Sequence, residues 1–139
     1  MPKFMLIMRA TDEGRAEYES IDFEEVIAAM GKYNEQLLDA GVMVGGEGLA
    51  DDVHAVVDFS GETPVVTDGP YGETKELFNG FWMLEVASKE EAIEWATRAP
   101  LSGPGTKLEI RRVTGPEDFP QDNEWIQKEN AWREENAGR

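Results

Sequence analysis

Short apolar runs and helical stripes follow one another along this chain, separated by glycine, proline and charged residues. In residues 3–10 both alternating sets, Phe4/Leu6/Met8 and Met5/Ile7, are apolar, which predicts a strand covered on both faces. Residues 11–20 are polar, contain a glycine and predict a loop. A helix start comes next, with Asp22 as N-cap and Glu25 three residues on. Val26, Ile27, Met30, Tyr33, Leu37 and Leu38 then recur at helical spacing and Gly41 supplies a stop, so a helix is predicted over about 22–40. Residues 42–49 predict a strand loosened by Gly45, Gly46 and Gly48. Residues 54–59 and 63–67 flank Ser60-Gly61-Glu62 and predict a short hairpin.

Residues 68–79 read as turn and loop. Residues 80–87 give the strongest strand pattern, with Phe81/Met83 on one face and Trp82/Leu84/Val86 on the other. Ser88 and Glu91 form a capping box, Ala92, Ile93, Trp95 and Ala96 the stripe of a second helix, and Pro100 closes it. Residues 107–113 predict a last strand, with Leu108 and Ile110 inward and Lys107, Glu109 and Arg111 opposite. Beyond Gly115-Pro116, Trp125, Ile126 and Trp132 punctuate a polar stretch that reads either as a terminal helix docking on a partner or as a half-ordered tail.

This order is strand, helix, strand, inserted hairpin, strand, helix, strand. It is the split β-α-β pattern of a ferredoxin-like α+β sandwich over residues 1–115, with a helical extension over 116–139. The two strands apolar on both faces belong in the middle of the sheet. Helices cover one face only, so the other needs a second cover, and a second copy of the chain is the simplest one; a homodimer is expected.

Composition narrows the chemistry. The 139 residues suit one domain, and 13 basic against 29 acidic side chains give a net charge of −16, which repels nucleic acid and anionic lipid. Without cysteine and with one histidine, thiolate chemistry and Cys- or His-rich metal sites drop out. The first residues hold too short an apolar run for a signal peptide, and no membrane-spanning stretch occurs, so a cytoplasmic protein is expected.

One stretch is more specific. Thr67-Asp68-Gly69-Pro70-Tyr71-Gly72-Glu73-Thr74-Lys75-Glu76, followed by Gly80-Phe81-Trp82, resembles the motif of the YCII-related DGPF-domain proteins, with Tyr71 in place of the usual Phe. Residues 42–49 and Ala92-Ile93-Glu94-Trp95-Ala96 extend the resemblance across roughly 3–113. It implies a dimeric α/β barrel built from ferredoxin-like subunits, and an association of many such proteins with extracytoplasmic-function sigma factors. The family's His and Asp pair does not carry over, because residues 22–33 contain no histidine and His54 lies in the hairpin.

Asp68 and Glu73 are the acid/base candidates, since a Gly-Pro turn can fix carboxylates at the mouth of a cavity. The competing reading has Asp68 stabilising its own turn. Arg9, Glu47, Gly69, Pro70, Thr74, Lys75, Phe81 and Trp82 form the expected ligand-binding set: Arg9 and Lys75 as anion partners, one of Phe81 and Trp82 as a pocket wall with the other in the core. His54 among Asp51, Asp52 and Asp58 reads as a solvated group, so neither metal nor cofactor is expected. Two functions stay open: a small-molecule binder or acid/base enzyme with its pocket beside the Asp-Gly-Pro-Tyr loop, and a non-catalytic module that binds a protein partner such as a sigma factor.

Overall fold

The computed structural model describes residues 1–50, 55–68 and 77–137, with Asp68 and Leu77 described through their backbone alone. Among these the order is β1 (Lys3–Ala10), α1 (Asp12–Glu19), α2 (Phe23–Asp39), β2 (Met43–Gly48), β3 (Ala55–Asp58), β4 (Val65–Asp68), β5 (Leu77–Glu85), α3 (Lys89–Thr97), β6 (Lys107–Arg112) and α4 (Glu124–Glu135). The fold is mixed α+β. Four antiparallel strands form an open sheet in the order β2-β5-β1-β6, and β3 pairs with β4 in a separate hairpin. β1 and β5 occupy the two central places, where strands apolar on both faces are buried best.

Alternation along the strands divides the sheet into two faces. Phe4, Leu6, Trp82, Leu84 and Val86 point to one side and meet Tyr33 and Leu37 of α2 and Ala92 of α3, forming the core. Met5, Ile7, Phe81 and Met83 share the opposite side, where Met5 pairs with Met83 and Ile7 with Phe81. The helices start where the sequence places their caps. The Asp22 carboxylate accepts from the Glu24 N–H at 3.1 Å, and the Ser88 hydroxyl accepts from the Glu91 N–H at 3.2 Å. Gly41, at φ 72°, turns the chain out of α2.

The expected loop over 11–20 is a helix, α1, and a local cap together with a long-range contact accounts for it. The Thr11 hydroxyl caps it by accepting from the Gly14 N–H at 3.0 Å. Gly14 reads as a breaker in sequence, yet its missing side chain makes room for a neighbour: a Cβ there would lie 2.4 Å from the Pro104 carbonyl oxygen. β5 also begins earlier than the sequence pattern suggests, at Leu77. α4 forms, capped by the Asn123 side-chain oxygen, which accepts from the Trp125 N–H at 2.9 Å, and none of its residues is buried.

Candidate functional site

Three rows of side chains cross the helix-covered face of the sheet. The middle row is Gly46, Trp82, Leu6 and Ile110, and Trp82 fills it. Its ring meets Tyr33 edge-on at 5.2 Å, its indole N–H donates to the Asn34 side-chain oxygen at 2.8 Å, and the Tyr33 hydroxyl donates to the Trp95 carbonyl at 2.7 Å.

The next row is Gly48, Gly80, Met8 and Leu108, and two of its four members have no side chain. Gly80, at φ 155°, admits no other residue without strain, since a Cβ would also lie 2.6 Å from the Glu47 carbonyl oxygen. A Cβ on Gly48 would meet nothing within 4 Å. Gly48 thus borders open space, a cavity of about 600 Å³, within the range of small-molecule sites, whereas at Gly80 the Glu47 carbonyl and the Met8 methyl close in on the strand.

Its walls come from every neighbouring element. β1 gives Met8 and Ala10, α1 gives Arg15, Tyr18 and Glu19, and Ile21 and the first turns of α2 give Phe23, Val26 and Met30. Leu49, Leu101, Ser102 and Thr106 complete most of the rim. α1 is held over the cavity by its N-terminus, where Thr11 donates its hydroxyl to the Pro104 carbonyl at 2.7 Å. Gly103 and Gly105, at φ 113° and 76°, bend the 102–106 loop close against it.

Asn79 is delivered by a β-bulge. Met8 pairs with Gly80 and Arg9 with Phe78, so Asn79 is the extra residue on β5, and it borders the cavity while its carbonyl accepts from the Leu49 N–H at 2.8 Å. Among the described residues, the Tyr18 hydroxyl, the Asn79 amide and the Ser102 hydroxyl have no hydrogen-bond partner, whereas Thr106 donates its hydroxyl to the Ser102 carbonyl at 3.1 Å. Burial pushes the Tyr18 phenol above its ordinary value, so at neutral pH it is a hydrogen-bond donor.

Of the expected site residues that the structure describes with side chains, Arg9 alone borders the cavity. Its guanidinium reaches Glu109 at 3.3 Å, and both side chains belong to the sheet face away from α2 and α3. Phe81 and Glu47, which pair with each other, lie on that face too, and Phe81 packs near Phe78 at 6.5 Å. Trp82 is core. Asp68 ends β4, its backbone paired with Ala55. Glu73, Gly69, Pro70, Thr74 and Lys75 lie outside the described residues, as does His54. Leu77, which follows that segment, pairs with Ala10 at the cavity wall.

Sequence reasoning missed Tyr18, Asn79 and the role of Gly80. Tyr18 was hidden by the loop reading of 11–20, and a bulge leaves no periodic trace. Among the described residues there is no group of three or more His, Cys, Asp or Glu side chains placed to hold a metal, and no helix is long and apolar enough to cross a membrane.

Comparison with known proteins supplies the remaining context. Over 53 residues the chain is 43% identical to the uncharacterised protein R00369 of Rhizobium meliloti (strain 1021), a match covering 37% of this chain and 42% of that protein's length. The YCII-related domain profile matches residues 3–115, which include the sheet, α1 to α3 and the whole cavity, and the chain therefore belongs to the YCII-related domain family.

Proposed function

We propose that this protein binds a small molecule in the cavity between α1, the start of α2 and the strand residues Gly48 and Met8. The supporting observation is the hollow itself: about 600 Å³ of mostly apolar space inside a sheet-and-helix layer that is filled one row away. Asp68 or Glu73 would add acid/base chemistry, since the segment joining β4 to β5 enters the sheet at Leu77, opposite Ala10. A ferredoxin-like homodimer is part of this proposal. Its support is the central placing of β1 and β5 and the apolar set Met5, Ile7, Phe78, Phe81 and Met83 on the face away from α2 and α3.

The test is a ligand screen by thermal shift on the wild type and on Gly48→Leu, whose new side chain enters the open space. Compounds that stabilise the wild type and not the variant support the site. Silence across broad apolar and aromatic libraries removes it.

A second reading, a partner-binding module of the kind associated with sigma factors, is favoured by α4. Trp125 and Trp132 remain 66% and 61% exposed on an acidic chain. Deleting residues 121–139 should then abolish capture of a basic partner and leave the cavity's ligand binding intact.

A further inference from the structure

The lining of the cavity specifies more than its size. Its walls are dominated by Met8, Val26, Met30 and Leu101, which reward apolar surface and penalise an isolated charge. Of the charged residues at the wall, Arg15 and Glu19 are of opposite sign and one helical turn apart on α1, and Arg9 is ion-paired to Glu109 on the other sheet face, so together they offer no single-signed field for an ion. What the site does offer is neutral hydrogen-bonding capacity at Tyr18, Asn79 and Ser102. The bulge that places Asn79 at the wall is the device by which sheets re-aim a side chain.

Resting on the binding reading above, we propose that the ligand is an uncharged, mainly apolar molecule carrying a hydroxyl or carbonyl group, bound with that group against the Tyr18 hydroxyl and with Asn79 as the second polar contact. A site built to hydrogen-bond one group discriminates against the analogue that lacks it, because its own polar atoms are then left unpaired. Tyr18 lies on α1 and Asn79 on the bulge of β5, so the two residues border the cavity from different walls.

A matched set of probes tests this: naphthalene, 2-naphthol and 2-naphthoate, titrated at pH 7 into the full chain and into Tyr18→Phe and Asn79→Ala. The wild type should bind 2-naphthol about 3- to 10-fold more tightly than naphthalene, and 2-naphthoate no better than naphthalene. Tyr18→Phe should erase most of the naphthol advantage while leaving naphthalene affinity and the melting temperature unchanged; Asn79→Ala should reduce it less. Equal binding of naphthalene and naphthol, or equal loss of both in Tyr18→Phe, overturns the ligand class and leaves the cavity reading standing. Tighter binding of the naphthoate overturns it in favour of an anion. No binding of any probe overturns both readings.

Discussion

Two neighbouring rows of one sheet face behave in opposite ways. At Trp82 the sandwich is closed: the indole meets Tyr33, its N–H is satisfied by Asn34, and Leu6 and Leu84 beside it are wholly buried. Two residues earlier on β5, Gly80 and its partner Gly48 contribute no side chain, and Met8 is left half-buried against a hollow. Close packing is thus concentrated at one end, and the other end carries the space a ligand needs. Gly48 faces the open space, and Gly80 lets Met8 lie close against β5.

The largest expected effect lies at the closed end. Trp82→Ala removes the ring that joins sheet to α2 and orphans Asn34, and should cost about 3–5 kcal/mol in urea unfolding. Met8→Ala, beside space already open, should cost less than half as much; equal losses would erase the distinction between the rows. Gly14→Ala comes next. Its methyl group collides with the Pro104 carbonyl, so α1 must shift, at roughly 1–3 kcal/mol measured by thermal melting.

The closed end also has a pH signature. Burial holds the Tyr33 phenol up to about 12, with Arg98 pulling the other way. The unfolded chain loses that proton near 10, so the stability Tyr33 contributes is complete below pH 10 and is lost as pH rises toward 12. Phenolate absorbance should show a tyrosine titrating near 12, absent in Tyr33→Phe. Smallest of all is Gly48→Leu, whose side chain meets open space: stability should change by less than about 1 kcal/mol while ligand binding disappears. A large stability loss there would mean the hollow is not free.

Much of the closed end could be read from the sequence. The stripe from Val26 to Leu37, the Ser88 cap and the two doubly apolar strands predict α2, α3, β1 and β5 because burial there follows simple periods. The open end could not be read in the same way. α1 carries no apolar stripe and is held by a threonine cap and glycine contacts to a loop some ninety residues on, which sequence spacing does not register. Gly48 was visible as a loosened strand position, but its meaning depends on Gly80 standing opposite it, a fact of register. Gly69, Pro70, Glu73, Thr74 and Lys75 belong to the expected site and fall outside the described residues.

The six methionines provide the most direct test of where a ligand sits. Met8 and Met30 line the cavity, whereas Met5 and Met83 pair on the opposite sheet face. In methyl-labelled spectra titrated with 2-naphthol, the Met8 and Met30 resonances should shift and those of Met5 and Met83 should stay in place. Shifts confined to Met5 and Met83 would put the ligand between sheets and contradict a site under α1.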